Sequence, residues 1–155
     1  MEATVKAGAI ASGTLSYTTS PVHTQKKYVE MVKELKEMGA STICIKDMAG
    51  IMGPKEAYDL VSAIKDAAPE LPIDLHTHST TGLAFMTYLK AVEAGVDIID
   101  TAISPFSGGT SQPATETLAY ALRQLGYESI WTTSAPRRSP TTSRSCVTTT
   151  SRTAP

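Results

Sequence analysis

Residues 41–67 read STICIKDMAGIMGPKEAYDLVSAIKDA, and this stretch holds one whole structural unit. STICIKD, 41–47, is rich in β-branched and apolar residues and predicts a strand. Pro54 then stands in the first turn of a helix, where a residue without an N–H is tolerated. Ala57, Leu60, Val61 and Ile64 follow at helical spacing, so one face of that helix is apolar. The order is strand, turn, amphipathic helix.

The same order occurs before and after it. GAIASGTLSYT, 8–18, is closed by TSP and followed by VHTQKKYVEMVKELKEMG, 22–39, with Val29, Val32, Leu35 and Met38 on one predicted helix face and Gly39 as the stop. PIDLHTH, 72–78, leads through STTGL to AFMTYLKAVEAG, 84–95. VDIIDTAIS, 96–104, leads through PFSGGTSQP to ATETLAYALRQLG, 114–126. Strands separated by helices pair in parallel, because a crossover helix returns the chain to the same end of the sheet. The repeat length is that of a (β/α)8 barrel unit, and a whole barrel takes about 250 residues. The expected fold is therefore α/β, a partial TIM barrel of four βα units over residues 1–127. Flavodoxin-like and Rossmann sheets are the alternative, but no G-x-G-x-x-G follows the first strand and no P-loop lysine is present.

Composition narrows the function. All fifteen acidic residues precede position 130 with only ten of the fourteen basic ones, and an acidic body does not suit nucleic acid. No apolar run reaches a membrane span and the first residues lack a signal-peptide pattern, while Cys44 and Cys146 make no disulfide framework, so a cytoplasmic protein is expected. Residues 128–155 change character. Between 131 and 155, twenty of twenty-five residues are Thr, Ser, Arg or Pro, which cannot bury enough apolar surface to order a chain. The tail is expected to be disordered, or an out-of-frame continuation.

Chemistry gathers where the strands end. In parallel α/β folds that rim carries the working groups. Lys46 is the last residue but one of the second run, His76 and His78 end the third, and Asp100 and Thr101 the fourth. Alternate strand residues share a face, so His76 and His78 point together and can hold one ion, zinc, manganese, cobalt or iron rather than calcium. A lysine at the inner end of a buried strand must pair with an anion, lose its proton or be chemically changed. Asp47 is a poor partner because it faces the other way. A neutral amine captures carbon dioxide as a carbamate, which would make Lys46 an oxygen ligand beside the histidines. Ser16 and Tyr17 end the first run and are candidates for the same rim. Thr110, Ser111 and Gln112 offer donors near a helix start, a place that favours an anion. His23 is read as a surface residue.

TLSYTTSPVHT, CIKDMAG, LHTHSTTG, AVEAGVDIIDTAIS and GGTSQPATET, in this order between residues 14 and 117, resemble the carboxyltransferase domain of biotin-dependent enzymes. The nearest members are the separate carboxyltransferase subunit of two-subunit pyruvate carboxylases and the alpha subunit of oxaloacetate decarboxylase. The resemblance covers about residues 8–127 and implies strands five to eight of the family barrel. It implies Lys46 as the carbamylated lysine and His76 and His78 as ligands of a divalent metal (zinc, manganese, cobalt or magnesium). The implied reaction moves a carboxyl group between carboxybiotin and pyruvate or oxaloacetate through a metal-stabilised enolate. Implied partners are a biotin carboxyl carrier domain and biotin carboxylase or membrane decarboxylase subunits, in a homo-oligomeric parent whose link to a membrane would run through those subunits.

The departures from the family also carry expectations. The aspartate ligand of the first family strand has no position here, nor does the later helical region with its proton-relaying threonine, nor an AMKM-type biotin motif. After GY the chain runs into ESIWTTSAPRRSP instead of an acidic helical stretch. The chain alone is therefore expected to be inactive, and a non-catalytic half-barrel is the alternative reading. Aldolase- or lyase-type metal barrels share the late His-x-His but tend to have DT-G where KDMAG stands, and Asn where Ser79 stands. Amidohydrolase barrels place their histidines before the lysine, the reverse of this order.

Overall fold

Four parallel strands alternate with helices, as the repeated pattern predicts. The computed structural model describes residues 1–129 and 146–152. A short helix α1 (Glu2–Lys6) precedes β1 (Ser12–Ser16), α2 (Gln25–Glu37), β2 (Thr42–Asp47), α3 (Pro54–Ala67), β3 (Ile73–Thr77), α4 (Ala84–Glu93), β4 (Ile98–Thr101) and α5 (Thr115–Gln124), with a 3₁₀ turn at Ser104–Phe106. Strands β1 to β4 lie side by side in sequence order, all parallel. The fold is α/β with the parallel sheet expected of a partial barrel. No helix among the described residues is long and apolar enough to cross a membrane.

Strand parity divides the sheet into two unlike faces. Leu15, Ile43, Ile45, Ile73, Leu75 and Ile99 are fully buried against the helices. Helix α3 contributes Ala57, Leu60, Val61 and Ile64, the four residues its spacing predicts. On α2 the buried pair is Tyr28 and Val32, whereas Met38 is half exposed at the C-cap, one turn beyond the packed part of the helix. The Tyr28 hydroxyl reaches the Thr18 backbone, accepting from its N–H at 2.9 Å and donating to its carbonyl at 3.1 Å, which is why this aromatic residue sits inside.

The opposite face is polar. It carries Thr14 and Ser16, then Thr42, Cys44 and Lys46, then Asp74 and His76, then Ile98 and Asp100. Cys44 and Asp74 are register partners. Burial, followed by the Asp100 charge, raises the Asp74 carboxyl from its ordinary 3.8 to about 6. Burial, followed by the Asp74 charge, pushes the Cys44 thiol up to about 12.

Of the tail expected to be structureless, 128–155, the described residues 128–129 and 146–152 lie in strands. Tyr127–Ser129 forms β5 and Cys146–Arg152 forms β6, which runs antiparallel to both β4 and β5. Val147–Thr150 is a β-branched stretch, a composition that suits strands, and β4 would otherwise present an open edge. The expectation for residues 130–145 and 153–155 falls outside the described residues.

Gly50 locks the end of β2 to the loop after β3. Its φ is +66°, and a Cβ there would stand 2.3 Å from the His78 carbonyl oxygen. Gly50→Ala is therefore expected to cost about 1–3 kcal/mol in backbone strain, with the close contact in addition, read as a lower midpoint in urea unfolding. A second expectation concerns pH. Because the folded Asp74 carboxyl titrates near 6 against 3.8 when unfolded, its contribution is full below about pH 4 and is lost as pH rises to about 6. Thermal midpoints of the metal-free chain should fall across that window relative to Asp74→Asn, and parallel profiles would refute it.

Candidate metal centre

The site is built where β2 and β3 end. Lys46 and His76 are register partners on adjacent strands, on the polar face of the sheet. Asp47 points the other way and is fully buried. Its carboxylate accepts from Ile51 N–H at 3.1 Å, Met52 N–H at 2.8 Å and the Thr77 hydroxyl at 2.8 Å, while its carbonyl accepts from His78 N–H at 3.1 Å. Those bonds fold the DMAGI turn back over β3. Lys46 takes part in no ion pair or side-chain hydrogen bond among the described residues, so its amine is left to the polar face.

His76 and His78 converge. Their Nε2 atoms lie 3.1 Å apart. The other nitrogen of each ring is anchored, His76 Nδ1 at 2.7 Å from Asp100 Oδ2 and His78 Nδ1 at 2.5 Å from the Thr110 carbonyl oxygen. A carbonyl only accepts, so His78 Nδ1 carries the proton, and a carboxylate beside His76 Nδ1 sets the same tautomer there. Both Nε2 lone pairs therefore face one point. The Gln112 amide nitrogen stands there, 3.0 Å from His76 Nε2 and 3.3 Å from His78 Nε2, with one N–H for each.

That donor set fits a divalent ion. Two imidazole nitrogens about 2.1 Å from one ion stand about 3.0–3.4 Å apart between right-angle and tetrahedral geometry, and the observed separation lies in that range. Carboxylate and carbonyl partners on the far ring nitrogens are what orient metal-binding imidazoles. Among the described residues, no group of three or more His, Cys, Asp or Glu side chains is arranged to hold a metal. A third protein ligand from this chain would have to be of another kind, and Lys46 is the neighbour.

The loop before α5 supplies the rest. Gly108 and Gly109 take φ of +80° and +54°, and the Ser111 N–H donates to the Gly108 carbonyl at 2.8 Å, a tight turn that carries Thr110 to His78 and Gln112 to both rings. Ser111 accepts the Ser79 N–H on its carbonyl at 2.8 Å and turns its hydroxyl toward Gln112 Oε1 at 3.3 Å. Thr110 thus enters through its backbone. Ser16 is the register partner of Lys46 and shares its face. Tyr17 does not join this group: its N–H still bonds the Lys46 carbonyl at 2.9 Å, but alternation turns its side chain away from the face of Ser16. Its ring stacks on Tyr28 with centroids 5.8 Å apart and lines a separate surface pocket with His23, Gln25, Glu56 and Asp59. Burial, then Glu56, raises its hydroxyl above the usual range.

Asp100 is the residue whose role the sequence reading leaves unassigned. Its position at a strand end is legible, but its bond to His76 depends on how β4 sits beside β3. Asp74 and Cys44, one layer below, had a signal in strand parity, two residues before His76 and Lys46.

Comparison with known proteins gives the family. Over 123 residues the chain is 55% identical to a pyruvate carboxylase subunit of Methanocaldococcus jannaschii, covering 79% of this chain and 22% of that one. It is 48% identical over 128 residues to the methylmalonyl-CoA carboxyltransferase 5S subunit of Propionibacterium freudenreichii subsp. shermanii, covering 82% of this chain and 25% of the relative. The carboxyl transferase domain of Rhizobium etli pyruvate carboxylase, solved with 3-hydroxypyruvate, superposes with a TM-score of 0.76 at 39% identity over 79% of this chain and 21% of that chain. The chain thus spans about a fifth to a quarter of the length of these relatives. The HMGL-like family model matches residues 6–139, and the chain belongs to that family.

Proposed function

We propose that this chain is the metal-bearing part of a biotin-dependent carboxyltransferase barrel, with β1 to β4 as its last four strands, acting on a keto acid of the pyruvate/oxaloacetate class. The observation that carries the reading is the convergence of His76 and His78 Nε2, 3.1 Å apart, with Asp100 and the Thr110 carbonyl behind them. The resemblance of the five motifs and the carboxyl-moving names of the relatives support the substrate class.

His76 and His78 would hold the ion through Nε2, and Lys46 through a carbamate oxygen. To form the carbamate, the neutral Nζ attacks the carbon of carbon dioxide. An N–C bond forms, one C=O π pair moves to oxygen, and a proton leaves the nitrogen for solvent. The amine becomes an anion, which suits a metal and removes the cost of an unpaired ammonium on a half-buried strand. A bound divalent metal would supply a Lewis acid for the keto-acid carbonyl oxygen.

The chain's own groups do the positioning. Asp100 and the Thr110 carbonyl keep protons on both Nδ1 atoms, so neither imidazole can turn its N–H toward the ion. An ion held by both Nε2 atoms would take the place of the Gln112 amide nitrogen, and the Gln112 amide and Ser111 hydroxyl so released would turn to the substrate carboxylate, with Ser16 on the same face. The carboxyl group would arrive on biotin carried by another domain or subunit, and a biotin carboxylase or decarboxylase subunit would load or discharge it. Residues beyond this chain would complete the grip on the keto acid.

Two measurements test the reading. Metal analysis of the purified chain, with and without bicarbonate, is expected to find near-stoichiometric metal that rises with bicarbonate and is lost in Lys46→Ala and His76→Ala. Absence of metal from the wild-type chain in both conditions overturns it. Oxaloacetate decarboxylation by the chain alone is expected to stay at the buffer rate, and a rate above it would show that no outside residue is needed.

A further inference from the structure

The β3–β4 ladder stops early. Parallel pairing is made at Asp74↔Ile98 and Leu75↔Ile99, although both strands run on to Thr77 and Thr101. On its other side β3 stays paired with β2 through Lys46↔His76 and Asp47↔Thr77. The strands part at the level of His76 and Asp100, the two residues whose side chains meet at 2.7 Å.

Tyr88 occupies the parting. Its side chain comes from α4 and is fully buried. Its hydroxyl accepts from Thr77 N–H at 3.1 Å and donates to the Asp100 carbonyl at 2.5 Å. Thr77 N–H is thus committed to a side chain where a regular ladder would send it to β4. Past the wedge, β4 pairs elsewhere. Ala102 N–H donates to the Pro113 carbonyl at 3.0 Å and Thr115 N–H to the Ala102 carbonyl at 2.9 Å, an isolated bridge to the segment that carries Gln112.

We propose that Tyr88 is a positioning residue of the metal centre, its hydroxyl holding the C-terminal ends of β3 and β4 at the separation that lets His76 reach Asp100. The inference rests on the reading of His76 as a ligand, but the wedge itself is a matter of backbone and tautomer. A phenylalanine would fill the same volume, leave Thr77 N–H without its acceptor and remove the hydroxyl that ties the Asp100 carbonyl, on a strand otherwise paired here with β6, to the end of β3. The strand ends would then have to shift to satisfy that N–H, and Asp100 would move relative to His76. Losing the carboxylate behind a ligand imidazole typically weakens metal binding about 10–100-fold.

The test compares the full chain with its Tyr88→Phe variant. Only three histidines are present, so nitrogen-15 histidine spectra of the metal-free protein at mildly alkaline pH resolve each ring. The wild type is expected to show His76 in one tautomer, with the proton on Nδ1. Tyr88→Phe should show mixed tautomers at His76, and its cobalt(II) affinity by calorimetry should fall roughly tenfold or more. A variant that is folded by circular dichroism and less stable, yet keeps both the tautomer and the cobalt affinity, reduces Tyr88 to core packing and overturns the proposal. If Tyr88→Phe does not fold, amide exchange in the wild type decides: a slowly exchanging Thr77 amide supports the wedge and a rapid one refutes it. A wild type with a fixed His76 tautomer but no cobalt binding overturns the metal reading and leaves the wedge standing.

Discussion

The buried carboxylate of Asp47 is the tie on which the arrangement depends. It gathers two backbone N–H groups of the following turn and the hydroxyl of Thr77 on the next strand. Hydrogen bonds to a carboxylate are among the stronger ones, and a carboxylate fully removed from water is costly unless so satisfied. Because Asp47 faces the helices, the residue before it on β2 faces the other way. Lys46 therefore stands beside His76 as a direct consequence of where Asp47 is held. Gly50 completes the tie, since only a residue without Cβ can lie so close to the His78 carbonyl.

The two faces of the sheet divide the labour. The helix side is an apolar core built from alternating strand residues and the inward stripes of α2 to α4, and that burial supplies the driving force for folding. The other side gathers carboxylates, a thiol, an amine and imidazoles, whose desolvation works against folding. The raised Asp74 carboxyl is a sign of that tension. Such a face has value for chemistry, because charges and dipoles held in half-buried surroundings act more strongly than they do in water. The site sits on its C-terminal rim, where loops can supply what strands cannot. The Thr110 carbonyl and the Gln112 amide both come from the glycine-bent turn before α5.

Much of this was legible in residues. The stripe Ala57, Leu60, Val61, Ile64 announced α3, and the His-x-His spacing announced a shared face, because both follow from the geometry of a single element. Contacts that cross between elements were not legible. Tyr17 follows Ser16 at the end of the first run, but alternation sends its ring to the other face, where it stacks on Tyr28. Tyr28 was hidden by the simpler stripe of Val29, Val32, Leu35 and Met38. The strand at Cys146–Arg152 was masked by the polar composition around it, since pairing with an open strand edge depends on backbone groups that composition does not report.

The amino-acid sequence by itself determined the βα order, the parallel sheet and the candidates Lys46, His76 and His78, because periodicity and parity are local and each residue carries its own chemistry. Only the tertiary structure decided which groups stand behind those candidates. Asp100 behind His76, the Thr110 carbonyl behind His78 and the Tyr88 hydroxyl between β3 and β4 are brought there from 24, 32 and 11 residues away in the chain. The physical reason is that hydrogen bonds are made across distances of about 3 Å, and such closeness between distant residues is set by strand register and helix packing rather than by any pattern along the chain.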